Sequence, residues 1–548
     1  MQIVIPMSGV GKRFLDAGYL DPKPLIRVDG RPIIEHVVQL FPGETRFLFI
    51  CNEDHLNSTP IREVLQRIAP QGRILSIPSH KKGPVFAVSQ VFSAINDDDE
   101  VIVNYCDFGK FWDFTDFLRH TRARRAAGAI SAYRGFHPHM LGTTNYAFLR
   151  DHEQWMLEIR EKQPFTNRRM DEFASDGTYY FQSGRLMKKY FRETMEAGLE
   201  VNGEYYVSVV YNLLVRDKLP VSIYKIQHML QWGTPQDLEE YQNWSAFFSR
   251  IAQPLLSSQP QPGQINLIPM AGRGVRFSDA GYKTPKPLLP VSGRPMIVQA
   301  ASALPPGDVS IFVCLLDHLQ QNPHLKDTLQ ECDSNVRIVP LSQVTEGQAV
   351  TCNIGLQDIS DESSLVIGAC DNGMLYSRAA WKQFIAEEKP DAVLFTFKNH
   401  PSSRLHPQMY GWVETNGCQA TRVSVKIPVS NHVDNDHAVV GAFWFSKMGI
   451  FRKGLARLLE NKIRVNGEFY VDSLMQMLIE LGFSVKVFLV DHYVCWGTPG
   501  DYETFCYWQS FFHKCAWHPY DLSNDPMIPD DERAALEESA LTFSQEYE

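Results

Sequence analysis

The 548 residues carry 53 Lys and Arg against 63 Asp and Glu, a net charge of -10. That balance, without any Lys/Arg run, excludes a general nucleic-acid binder, and no apolar run approaches the ~20 residues that cross a bilayer as a helix. The chain is too long for one ordinary domain and accommodates two of ~250 residues.

Gln2–Pro6 reads as the first strand, and no secretory leader precedes it. The segment Ile5 to Pro32, IPMSGVGKRFLDAGYLDPKPLIRVDGRP, returns as IPMAGRGVRFSDAGYKTPKPLLPVSGRP from Ile268 to Pro295, with roughly two-thirds of the positions identical. RFLFIC, RILSIP and EVIVNYC read as further strands, and Pro60–Ala69 and Val85–Ile95 have helical spacing. The repeat continues through both copies. KKGPVFAV from Lys81 answers TEGQAVTC from Thr345, VIVNYCDFG from Val101 answers LVIGACDNG from Leu365, VNGEYYV from Val201 answers VNGEFYV from Val465, and HMLQWGTPQD from His228 answers HYVCWGTPGD from His492. A repeat this long means two whole domains, not a solenoid. The expected division is a first domain at 1–249, a Pro/Ser/Gln-rich linker at 250–264, a second domain at 265–515 and an acidic tail at 516–548 with little to bury. Strands alternating with helices imply an α/β fold, a mainly parallel sheet with helices on both faces, and ligands beyond the carboxyl ends of the strands. The ten cysteines are scattered without metal-ligand spacing and read as reduced thiols of a cytoplasmic protein.

Gly9 and Gly11, then Gly272 and Gly274, form loops behind a strand whose backbone N–H groups suit phosphates. Arg13 and Arg276 add a forked cation. Phe14 and Phe277 stand where a dinucleotide fingerprint needs its third glycine, and the GK[ST] of a P-loop is absent. Asp107 and Asp371 each end an apolar strand, where a carboxylate can hold Mg2+ between two phosphates. Asp97-Asp98-Asp99 and Asp434-Asn435-Asp436 look like metal-binding DxD motifs but read as solvated turns. Asp54-His55 and Asp317-His318 read as structural, and His228 and His492 as buried, hydrogen-bonded histidines.

GxGxR, eight residues, then Pro-Lys-Pro-Leu, present in both halves, resembles the sugar-nucleotidyltransferase superfamily, the nucleotide-sugar pyrophosphorylases. The resemblance covers nearly all of both halves and implies two tandem Rossmann-like, GT-A-like domains. It implies that the Gly loop, Arg13 and Lys23, then Arg276 and Lys286, hold a triphosphate. It also implies that Asp107 and Asp371 bind Mg2+, and that Lys162 and Lys426 bind the acceptor phosphate, with Glu161 on sugar hydroxyls. Glu204 and Glu468 become acceptor-side or metal-completing candidates. Gly83 and Gly347 fall where relatives read the base, and there Gln348 can hydrogen-bond a base edge while Pro84 and Val85 offer no polar side chain. Three departures stand out. Val425 replaces the Glu before Lys426, Gln231 and Cys495 replace the family's second metal-binding Asp, and Tyr146-Ala147 stands where Tyr410-Gly411 keeps the family's Tyr-Gly pair. The implied partners are an NTP and a phosphorylated small-molecule acceptor, neither nucleic acid nor membrane. The implied reaction is nucleotidyl transfer with release of pyrophosphate, in which a sugar 1-phosphate would be activated for surface polysaccharide. A non-sugar phosphomonoester acceptor, one non-catalytic regulatory copy, and a glycosyltransferase remain as alternatives. The divergent base and acceptor positions imply that the two domains take different acceptors.

Overall fold

The computed structural model describes residues 1–142, 145–253, 261–333 and 335–541. The chain separates into two units, Met1–Ser245 with Ser510–His518, and Ala246–Gln509 with Pro519–Ser539.

The first unit is built on a nine-stranded sheet. Its order is Arg73–Ile77, Phe47–Asn52, Gln2–Met7, Val101–Asn104, Phe173–Phe181, Gly128–Tyr133, Val221–Ile226, Trp155–Glu161, Ala147–His152. The first four strands are mutually parallel. Phe173–Phe181 then runs antiparallel to both of its neighbours. FLFICN is buried at every position, the near-continuous apolar run of a strand covered on both faces. Val4, Ile50, Val103 and Ile130 form the core with Val88 and Leu214 from the helices Gly83–Ser89 and Val207–Arg216.

The second unit repeats the order strand for strand, from Val336–Leu341 at one edge to Gly411–Asn416 at the other. Leu267, Val313 and Ile367 pack with Leu474 and Leu478 on one face of its sheet, and Ile268, Phe312 and Val366 with Trp381 on the other. The expected α/β class and its duplication are therefore both present. Among the described residues no helix is long and apolar enough to cross a membrane, and all ten cysteines are free.

Three segments differ from the sequence reading. The helical spacing of Val85–Ile95 is realised as a helix ending at Ser89 and a 3-10 turn at Phe92–Ala94. In the expected linker, Arg250 and Ile251 still belong to the helix Pro235–Ile251, and Gln261–Gln264 already belong to the strand Gln261–Met270; residues 254–260 lie outside the described set. The polar composition concealed this strand because Gln264 is buried with its amide on the carbonyls of Pro305 and Pro306. Beyond Trp517 the chain is more buried than its acidity suggests, with Tyr520, Leu522 and Ile528 all in the core of the second unit.

Candidate active site

The carboxyl ends of the parallel strands in the first unit open into a cleft of about 500 Å³. Gly9, Gly11, Arg13, Lys23, Gly83, Asp107, Glu161, Lys162 and Glu204 all line it. These residues come from segments spread over two hundred positions, and every candidate named in this half from the sequence meets at one place.

The Gly9–Gly11 loop leaves Gln2–Met7 and enters a short helix, Lys12–Asp16. Gly11 holds φ 71, the left-handed region that glycine adopts without a Cβ penalty. Gly274 does the same at φ 62. Lys23 opens a 3-10 turn behind Pro22, and its Nζ donates to Asp107 Oδ2 at 2.9 Å. Burial alone would lower the Lys23 pKa; the adjacent Asp107 carboxylate outweighs it and the net direction is up. Lys286 makes the same ion pair with Asp371, with the same balance and direction. Each site thus holds a fixed ammonium against a strand-end carboxylate.

Gly83 sits at φ 82, and a Cβ there would lie 2.8 Å from both the N and O of Tyr205. We expect Gly83→Ala to destabilise the first unit by about 1–3 kcal/mol and to weaken NTP binding; urea unfolding and nucleotide titration check both.

On the acceptor side, Lys162 directly follows the strand Trp155–Glu161 and holds φ 59, rare for a lysine. Its N–H donates to Tyr146 O at 2.8 Å. Its Nζ donates to the Tyr206 hydroxyl at 2.7 Å, which in turn donates to Glu204. Lys426 repeats this with φ 65, its N–H on Tyr410 O at 2.9 Å and its Nζ 5.3 Å from the Tyr470 ring; the Tyr470 hydroxyl is bonded to Glu468. The paired left-handed lysines are a strained feature at matching positions of both copies. Glu161 accepts from Ser208 Oγ at 2.5 Å, and burial raises its pKa against that bond and Lys162.

Gln231 pairs with Phe108 and Cys495 with Asn372, each beside the strand-end Asp. Sequence reasoning missed a carboxylate six residues on. Asp237 is held by Thr234 Oγ1 at 2.5 Å. Burial, with the Asp107 charge adding to it, outweighs that bond and pushes Asp237 up to about 6. In the second unit Asp501 is held by Thr498 and accepts from the Cys495 thiol at 3.6 Å. Among the described residues no group of three or more His, Cys, Asp or Glu stands ready as a metal cage. The carboxylates of Asp107 and Asp237 and the amide oxygen of Gln231 are nonetheless hard oxygen donors. They fit Mg2+, which binds through one or two carboxylates plus substrate phosphates and water. His228 is buried and faces Ser510 Oγ at 3.3 Å, away from any such role. The DxD look-alike Asp97–Asp99 is ion-paired to Lys188, Arg185 and Arg46, and Asp434 to Arg404. Asp54 sits in the first turn of a helix capped by Asn52.

In the second unit, Gly272, Gly274, Arg276 and Lys286 occupy the corresponding loop and 3-10 turn. Gln348 opens the helix Gln348–Gly355 behind Gly347, whose φ is 137 and whose α-carbon faces the Phe469 backbone. Both units are thus α/β domains with a glycine loop, cations and a carboxylate behind the strands of a mixed sheet. Residues 267–459 match the family model of the MobA-like NTP transferase domain. The first half repeats its motifs and strand order, and the chain is a tandem of two domains with one α/β fold.

No curated protein matches the chain. Among solved structures it is similar to a nucleoside-diphosphate-sugar pyrophosphorylase from Vibrio cholerae RC9, at 22% identity over 44% of this chain and 99% of that one, TM-score 0.38. It is also similar to the inositol-1-phosphate CTP transferase from T. maritima, at 15% identity over 45% and 96%, TM-score 0.35. A third similar structure is a UDP-glucose pyrophosphorylase from Acinetobacter baumannii, at 17% identity over 44% and 91%, TM-score 0.34.

Proposed function

We propose that each domain transfers a nucleoside monophosphate from an NTP to a phosphomonoester and releases pyrophosphate, with a sugar 1-phosphate as acceptor in the first domain. The observation that carries this reading is the single cleft lined at once by the Gly9–Gly11 loop, Arg13, Lys23, Asp107, Glu161 and Lys162. It holds phosphate-binding groups on one side and a second cation with a carboxylate on the other.

The acceptor phosphate oxygen attacks the α-phosphorus in line. A new P–O bond forms, the bond to the β-phosphate oxygen breaks, and the electron pair leaves with pyrophosphate. A phosphate monoester is already nucleophilic at neutral pH, so the protein positions the reactants and stabilises charge. The loop N–H groups, Arg13 and Lys23 hold the donor phosphates, while Lys162 holds the acceptor phosphate. Glu161, fixed by Ser208, takes a sugar hydroxyl. Asp107, with Asp237 and Gln231 nearby, would hold Mg2+. When bound, the ion supplies neutralisation of the phosphate charge. In the second domain the corresponding set is Arg276, Lys286, Asp371 and Lys426, with Gln348 placed for the base and Gly347 giving close backbone approach.

The test is pyrophosphate release by the full chain from each of four NTPs against a panel of sugar 1-phosphates, inositol 1-phosphate and other phosphomonoesters. Two donor–acceptor pairs with distinct preferences are expected; no release from any pair overturns the reading.

A further inference from the structure

The two acceptor sites differ by a correlated exchange of three residues. In the first domain they are Ala147, Glu161 and Ser208; at the matching positions of the second they are Gly411, Val425 and Asp472. The match is geometric as well as sequential. Asn212 Oδ1 accepts from Ile159 N at 3.0 Å in the first domain, and Gln476 Oε1 accepts from Val423 N at 2.8 Å in the second. The helix and the strand are therefore in the same register in both.

We propose that Asp472 is the carboxylate that binds the phosphorylated acceptor in the second domain, in the role Glu161 has in the first, and that it recognises a hydroxyl of a polyol phosphate. The inference rests on the nucleotidyl-transfer reading above. In the first domain the strand supplies the carboxylate and the helix supplies the hydroxyl that fixes it, Ser208 to Glu161 at 2.5 Å. In the second, the strand position has become apolar Val425 and the carboxylate has moved across to the helix. Gly411 makes the room. A Cβ there would lie 3.0 Å from Asp472 Cγ and Oδ1. The glycine is thus explained by the side chain behind it and not by acceptor approach alone. Asp472 is only partly buried as a residue, while its Oδ1 is out of water and, among the described residues, has no hydrogen-bond partner. A buried carboxylate oxygen in that state is costly unless a donor reaches it. Burial raises its pKa to about 7 against the pull of Lys426, the lysine placed for the acceptor phosphate. A donor hydroxyl beside a phosphate on Lys426 answers both demands. Because the carboxylate comes from the helix and not from the strand, the hydroxyl it selects lies elsewhere on the acceptor than the one Glu161 selects.

The test uses the full chain carrying Asp107→Ala, so that only the second site turns over, with sugar 1-phosphates and inositol 1-phosphate as probes. Adding Asp472→Asn, which keeps the shape, is expected to raise the acceptor KM tenfold or more and leave the NTP KM within twofold. Adding Gly411→Ala, Val425→Glu and Asp472→Ser together is expected to shift the acceptor preference to that of the first site, read separately in an Asp371→Ala chain. An unchanged acceptor KM in Asp472→Asn overturns the inference. If the Asp107→Ala chain releases no pyrophosphate with any pair, nucleotidyl transfer by the second domain fails, and calorimetric binding of the same polyol phosphates decides on Asp472. Affinity lost in Asp472→Asn supports its role, while equal affinity, or no binding by the parent, overturns it.

Discussion

Replacing Asp107 by alanine is expected to lower pyrophosphate release at the first site by roughly 10²–10³-fold, the range that losing one preorganised charge-stabilising group costs, and Asp371→Ala is expected to do the same at the second. The carboxylate has two tasks in this geometry. It fixes Lys23 Nζ at 2.9 Å, and in the proposed reaction it is a strand-end oxygen donor beside the glycine loop. Alanine removes both and leaves a partly buried lysine whose burial now lowers its pKa unopposed. Asp107→Asn separates the tasks, because the amide oxygen can still accept from Lys23 but carries no charge. A loss close to that of alanine assigns the effect to the charge, and a mild loss assigns it to the positioning of Lys23. Each single variant should abolish turnover of one acceptor and spare the other, and the double variant should retain neither. If Asp371→Ala left every acceptor unaffected, the second domain would be a binding copy, and if neither change lowered release, the carboxylate assignment would fall.

Much of this arrangement was legible in the sequence for a physical reason. Phosphate handling needs glycine where φ is positive, as at Gly11 and Gly274, and a cation directly after a rigid turn, as at Lys23 behind Pro22. Glycine meets the first demand without a Cβ penalty, and the pattern stands in both copies. Strands buried on both faces, such as Phe47–Asn52, are equally visible as apolar runs. The acceptor side was less legible because its parts are exchangeable. In the proposed acceptor sites the carboxylate comes from a strand, as Glu161, or from the facing helix, as Asp472, and a motif read along one strand sees only Val425. The pairing of Ser208 with Glu161 was the available signal, but it needs the contact between two elements distant in sequence. The Gln/Pro-rich start of Gln261–Met270 was misread for a related reason: the carbonyls that satisfy Gln264 belong to Pro305 and Pro306, some forty residues away.

Lys110→Met alone is expected to destabilise the first domain by about 3–5 kcal/mol, whereas Lys110→Met with Asp176→Val should recover most of that loss. Lys110 Nζ donates to Asp176 Oδ2 at 2.9 Å, Thr178 Oγ1 at 2.7 Å and Ser131 Oγ at 3.2 Å, and both charged side chains are 0% exposed. Burial pushes the ammonium down to about 8 against the pull of Asp176, so the pair stands only because each charge satisfies the other. Removing the lysine strands a buried carboxylate, while removing both leaves no buried charge and only the Ser131 hydroxyl and the Thr178 N–H without their Asp176 partner. The second domain has already made that exchange: Met374, Phe395, Val440 and Ala442 occupy the positions of Lys110, Ser131, Asp176 and Thr178, all buried. The same sheet therefore tolerates either a complete polar network or none, and a half-network is the unstable intermediate. Hydrogen exchange of peptides from Phe173–Phe181 and Val101–Asn104 reads the first domain within the full chain. Equal loss of protection in the single and double variants would show that the ion pair, and not its completeness, holds this strand.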